Sequence, residues 1–344
     1  MVSEEIKRSE QQQTLGRRTF LRTAAAAGAV WSGTSLASAA PSHGRENSGF
    51  PPKGTTDYGR EVELGNGTVR PFTTETPSGE PKYHGVELDR AALDDLPSAG
   101  DLEDSGEDEY DDKESVTGEA LEVHFKWSLE FFVEFPSAEN TPFTFLGLNW
   151  NSGGHFGGKG AWLKPHFDIH FHMLGTETID GIGDPKLPPY DTGNGEYTDG
   201  KGPDLDGRVT ESEFKFKQLP EGYSRSPDPV ADQRYITDMG EHTAPSDAPE
   251  LPDGPGESGD PEKFDNTLIQ GFVGPDGDGQ NPELAFVEPM VTKEFLEDVS
   301  GTESYGVPQP EEYPHDQQHP MEYSVRDVPS KNAISVVIQD FEQI

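Results

Sequence analysis

The chain has 344 residues, 26 of them Lys or Arg against 65 Asp or Glu, for a formal charge of −39, and it contains no cysteine. Missing thiols exclude disulfides, thiolate metal sites and cysteine nucleophiles, and the lack of a basic patch excludes nucleic acid as an expected partner. With only 31% hydrophobic residues, the composition fits a folded halophilic domain carrying disordered acidic inserts, since molar salt shortens the Debye length to about 3 Å and screens self-repulsion.

Residues 1–39 read as a signal peptide. Arg17-Arg18-Thr19-Phe20-Leu21-Arg22 is a twin-arginine pattern, an alanine-rich apolar run follows from Thr23 to Leu36, and Ala37-Ser38-Ala39 offers a small-residue cleavage site. The run is too short to span a membrane. The expectation is export through the twin-arginine pathway to the cell surface or beyond, with no membrane span. Residues 40–57 read as a flexible tether and 58–344 as a single domain.

Glu61-Val62-Glu63-Leu64 and Val69-Arg70-Pro71-Phe72 flank an Asn66-Gly67 pair. This predicts a hairpin with an Asn-Gly turn, and Asn66-Gly67-Thr68 is also a glycosylation acceptor sequence. A short helix is expected to start near Asp89 and carry Ala91, Ala92 and Leu93. Asp101–Glu114 is a run of acids broken by Ser and Gly, expected to be a solvated, disordered insert over about residues 98–119.

Leu121–Phe135 carries the clearest strand pattern. Apolar residues fill every odd position, and among the even positions only Phe132 is apolar. Phe143–Trp150 predicts the next strand, followed by a glycine-rich loop, Gly153–Gly158, that holds His155. Gly175–Gly207 reads as loop and Phe214–Leu219 as a short strand. Thr267–Val273 and Leu284–Val287 follow as a strand pair, then a helix near Thr292–Asp298 and a last strand, Ala333–Phe341. Many short strands separated by turn signals predict a mainly β protein, a single antiparallel sandwich or barrel-like domain with few short helices and long acidic loops.

Pro165–Met173 reads Pro-His-Phe-Asp-Ile-His-Phe-His-Met. On a strand, Phe167, Ile169, Phe171 and Met173 face one way, and His166, Asp168, His170 and His172 the other. A polar strand face usually meets water. Elsewhere in this chain such faces are filled by Asp and Glu, whereas three of the four positions here are histidine, a residue that occurs 10 times in all. Imidazoles with a carboxylate among them are the donor set shared by Zn, Mn, Fe and Ni sites. Same-face neighbours on a strand lie about 6.5–7 Å apart, so ligands from other segments are required. His155, His242 in Gly240-Glu241-His242, and Glu288, read as the end of its strand, are the candidates. Asp168 is either a ligand or the acceptor that fixes a histidine tautomer.

The motifs resemble the TTHB-like domain family of secreted or envelope proteins, which has no assigned reaction. The matching pieces are Glu63-Leu64-Gly65-Asn66-Gly67-Thr68, Gly85-Val86-Glu87-Leu88, Leu148-Asn149-Trp150 before Gly154-His155, and Pro165 to Phe171. They continue with Pro220-Glu221-Gly222-Tyr223, Met239 to His242, Phe264 to Gly271, and Glu288-Pro289-Met290-Val291-Thr292. The resemblance implies a mainly β homo-oligomer and places His155, His166, Asp168, His170, His242 and Glu288 in recurring motifs. His172 departs from it, because an aromatic residue is usual there. The expectation is a divalent-metal-binding exported protein. A metal-dependent hydrolase or oxygenase, and a purely structural homo-oligomeric envelope protein, are the alternatives.

Overall fold

The computed structural model describes residues 47–98, 101, 128–136, 139–155, 158–180, 182, 190–191, 196–197, 216–225, 235–236, 239–252, 257–274 and 283–344. The expected signal peptide, nearly all of the acidic insert and the first half of the patterned strand, residues 121–127, lie outside the described residues.

In chain order the strands are β1 (Thr56–Tyr58), β2 (Val62–Leu64), β3 (Gly67–Glu75), β4 (Pro81–Asp89), β5 (Ser128–Glu134), β6 (Phe145–Asn151), β7 (His166–His172), β8 (Tyr190–Asp191), β9 (Glu196–Tyr197), β10 (Tyr223–Arg225), β11 (Tyr235–Ile236), β12 (Gly240–Pro245), β13 (Asn266–Val273), β14 (Glu283–Thr292), β15 (Thr302–Gly306), β16 (His319–Val328) and β17 (Ala333–Glu342). They form two antiparallel sheets. The first runs β1-β3-β4-β17-β16-β15, with β2 on β3, and the second runs β10-β12-β13-β14-β7-β6-β5, with β11 on β12. A small separate ribbon pairs β8 with β9. Pairing of β4 with β17 closes the first sheet around both ends of the fold, so the second sheet is one long excursion between β4 and β15.

The sheets face each other across one apolar core, as a sandwich requires. Leu129, Phe131, Leu146, Leu148, Phe167, Ile169 and Phe171 of the second sheet share a cluster with Val86, Leu88, Val336 and Ile338 of the first. The outer face of the second sheet carries a further apolar cluster, which includes Phe132, Phe145, Trp162, Phe264, Phe286 and Met290. Phe132 breaks its strand's alternation because it belongs to this outer layer. Both faces of β7 are therefore buried, and its histidine face does not meet water.

Local chemistry explains the departures from the sequence reading. Leu64 pairs with Gly67, so the hairpin turns on Gly65-Asn66 rather than Asn66-Gly67. Gly65 has φ +53°, the glycine-first arrangement of a type II′ turn. Phe216–Gln218 is a 3₁₀ turn, where a strand was expected. The helix after Asp89 is likewise 3₁₀, Arg90–Leu93. Within the expected loop after Gly175 lies α1 (Thr176–Asp180), and α2 (Lys293–Asp298) starts where Thr292 Oγ1 accepts a hydrogen bond from the Phe295 amide at 3.2 Å. Phe50, inside the stretch expected as tether, is buried against Phe72. Strand β14 continues through Pro289 to Thr292, so Glu288 lies mid-strand instead of ending it. Proline is tolerated there because the ladder to β7 lapses between Val287 and Met290, where its missing N–H costs no bond.

Truncating the core face of β7 should be expensive. Phe167→Ala is expected to lower the unfolding free energy by about 3–5 kcal/mol in a denaturant titration in molar salt. Leu163→Ala, at a side chain 45% exposed, should change it by less than about 0.5 kcal/mol.

Candidate metal centre

Strand β7 sits between β6 and β14, and pairing register decides what surrounds each outward side chain. On β6, Asn151 lies opposite His166, Asn149 opposite Asp168, Gly147 opposite His170 and Phe145 opposite His172. On β14, Thr292, Met290 and Phe286 lie opposite His166, Asp168 and His172, and the same register sets Glu288 level with His170. His242 arrives from β12 across Gly271, which pairs with both His242 and Phe286. The Phe286 ring lies in the space a Gly271 side chain would need. A single aromatic ring thus bridges the gap between His242 and β7.

These placements divide six candidates into two triads, His155/His166/Asp168 and His170/His242/Glu288, each with its potential ligand atoms within 4.8 Å of one another. In the first, His166 Nε2 is 3.0 Å from Asp168 Oδ1 and His155 Nε2 is 3.3 Å from Oδ2. His155 reaches in from the loop after β6. Gly154, at φ +74°, lets that loop lie against the backbone of Trp162–Lys164, and the His155 amide donates to the Trp162 carbonyl at 3.2 Å. Asn151 donates to Asp168 Oδ2 at 2.8 Å, and Ser128 Oγ donates to Asn151 Oδ1 at 2.7 Å. In the second triad, His170 Nε2 and His242 Nε2 each lie 3.4 Å from the same atom, Glu288 Oε2.

Two backbone carbonyls fix the ring tautomers. His166 Nδ1 lies 2.6 Å from the Lys164 carbonyl and His242 Nδ1 3.0 Å from that of Gly240. A carbonyl only accepts, so both Nδ1 atoms carry the proton. In a neutral His242 ring Nε2 then presents a lone pair to Glu288 Oε2, 3.4 Å away. Histidines that bind metals are held in this way, with the second nitrogen donating to a carbonyl or carboxylate.

The two carboxylates differ in electrostatics. Burial would raise the Asp168 carboxyl, but the charge and hydrogen bonds of His166 and His155 pull it well below the usual carboxylate range. Glu288 is pushed well above that range, by burial first and by the Asp168 charge second. The first triad therefore keeps its carboxylate ionised with internal partners, whereas in the second burial favours the protonated, uncharged form of Glu288.

His172 belongs to neither triad. Its ring stacks on Phe145 at 4.4 Å and lies parallel to His170 at 5.3 Å. Neither of its nitrogens makes a hydrogen bond among the described residues. Burial, reinforced by His242, holds it neutral with a pKa pushed down to about 3. The sequence reading missed Asn151, Ser128 and Asn149. The signal was available in Asn149 and Asn151, which share a parity on either side of apolar Trp150. Asn149 is fully buried between Glu130 and Asp168.

Because the folded protein refuses a proton that the unfolded chain accepts at about pH 6.5, His172 makes stability fall as pH drops from there toward 3. His172→Phe removes this loss. It is expected to leave stability at neutral pH unchanged or about 1 kcal/mol higher and to make acid unfolding shallower, without altering bound metal. Denaturant titrations across that pH range check it.

The chain matches no protein-family model, no curated protein and no solved structure, so its chemistry is read from these two triads.

Proposed function

We propose that the protein binds divalent transition-metal ions, one in each buried His/His/carboxylate triad. The observation that carries this reading is the approach of His170 and His242 to Glu288 Oε2, both at 3.4 Å. Ligand atoms about 2.1 Å from an ion at tetrahedral angles stand about 3.4 Å apart. The His242 tautomer supports it further, because a lone pair aimed at a buried carboxylate needs a cation or a proton between them. With no cysteine in the chain, the donor set is nitrogen and oxygen alone, suited to Zn, Mn, Fe or Ni.

In the first triad His155, His166 and Asp168 would hold the ion, with Asn151 orienting the carboxylate. In the second His170, His242 and Glu288 would do so. Three protein ligands leave a coordination position open, the condition for Lewis-acid or water-activating chemistry. All six residues are at most 7% exposed, so only a small molecule reaches that position, and binding rather than turnover of a large substrate is the function we assign. Twin-arginine export, work in high salt, membership of the TTHB-like domain family and assembly into a homo-oligomer complete the proposal on sequence grounds. No described helix is long and apolar enough to cross a membrane.

Elemental analysis of protein purified in molar salt without chelator tests the reading. Near two equivalents of ion are expected, with one lost in Asp168→Asn, the other in Glu288→Gln, and both in the double variant. A wild type that stays unloaded after incubation with Zn, Mn, Fe and Ni salts would refute it. Affinity should rise with pH between about 5 and about 8, because the ion displaces protons from imidazoles and from Glu288, whose carboxyl holds its proton above the usual range. A competition titration with a metal-binding dye at several pH values measures this, and a flat profile would contradict it.

A further inference from the structure

Beyond the histidine face, past the end of β7 and beside the start of β14, lies a cavity of about 180 Å³. Its walls are mainly apolar, formed by Pro142, Met173, Leu174, Val273, Leu284, Ala285 and Pro314, and its polar groups are Glu283, His315 and Gln317. Engineered apolar cavities of about 150 Å³ hold one benzene ring. None of the six triad residues lines the cavity, whose walls from this sheet are Met173, Leu174 and Glu283 to Ala285, so this is a separate site.

The polar groups share one character. Glu283 brings a carboxylate. Gln317 spends its amide nitrogen on the Thr141 carbonyl, 2.9 Å away, leaving its oxygen to accept. His315 is half-buried on the cavity wall, and burial lowers its pKa, which leaves a neutral ring with one accepting nitrogen. Its ring stacks at 5.8 Å on His319. His319 is fully buried, and neither of its nitrogens makes a hydrogen bond among the described residues. Three residues able to accept thus line one mainly apolar chamber, and a primary ammonium offers three N–H donors.

We propose that this cavity binds a small apolar molecule carrying a primary ammonium group. The hydrocarbon body fills the space between Leu174, Leu284 and Pro142, and the ammonium donates to Glu283, Gln317 and His315. Half-buried Met173, Leu174 and Pro314 place the opening at the surface, so a ligand enters without unfolding the sheet. The buried part of such a pairing is screened far less by molar salt than an exposed ion pair.

Benzylamine, benzyl alcohol and benzoate titrated into the full-length protein in molar salt, read by saturation-transfer NMR and calorimetry, test the assignment. Benzylamine should bind, benzyl alcohol roughly tenfold more weakly because it lacks the charge-assisted bonds, and benzoate more weakly still. Glu283→Gln should bring benzylamine down to the level of the alcohol. Ala285→Leu, or Leu174→Phe if the first does not fold, should abolish binding of all three while circular dichroism stays native. Glu288→Gln should leave benzylamine binding unchanged, which separates this site from the metal reading. Failure of benzylamine to bind, equal binding of benzoate, or binding that survives the filled cavity would overturn the proposal.

Discussion

The structure turns on two carboxylates that are removed from water and set between imidazoles. Burying an ionised carboxylate costs several kcal/mol unless opposite charge and hydrogen bonds offset it. Asp168 meets the cost from within, through Asn151, His166 and His155. Glu288 meets it only by keeping its proton, which one of the two ring nitrogens 3.4 Å from its Oε2 can accept. A divalent ion would take that proton's place and turn the two ring lone pairs and the carboxylate into ligands.

The remainder of the fold holds this arrangement in place. Strand β7 is interior to its sheet, with β6 and β14 on either side, so the spacing of Asp168 and His170 is set by the ladder instead of a loop. The core side of the strand is locked by Phe167, Ile169 and Phe171. Over the histidines, Trp162, Phe264 and Phe286 form an aromatic layer that excludes water and lowers the local dielectric. Such surroundings strengthen every electrostatic contact beneath them and penalise any group left unpaired. His84 shows the neutral alternative. It too is fully buried, yet both ring nitrogens reach threonine hydroxyls, those of Thr73 and Thr141, and burial holds it neutral.

The mainly β architecture and the histidine face of β7 were legible because strand periodicity is local. Alternation gave the right parity for His166 to His172, while Met173 lies beyond the strand and packs against both apolar clusters. Burial of that face was less legible, since its cover comes from residues scattered through the chain, and the one trace was Phe132 breaking an otherwise regular pattern. Division into two triads depends on register across several strands and on Gly271 and Phe286 sharing one row, which no single segment encodes. Glu288 reads as the end of its strand, but β14 runs on through Pro289 to Thr292. The ladder simply skips the residues where the proline N–H is missing. His172 had the right parity and the wrong neighbours, since its ring is taken up by stacking on Phe145.

The most direct test of the central claim is anomalous diffraction from crystals loaded with Zn or Mn, collected on both sides of the metal edge. Two peaks are expected, one about 2.0–2.2 Å from Glu288 Oε2 and the Nε2 atoms of His170 and His242, the other at the same range from Asp168 and the Nε2 atoms of His155 and His166. Anomalous density confined to surface carboxylates, with both triads empty at full loading, would contradict the account.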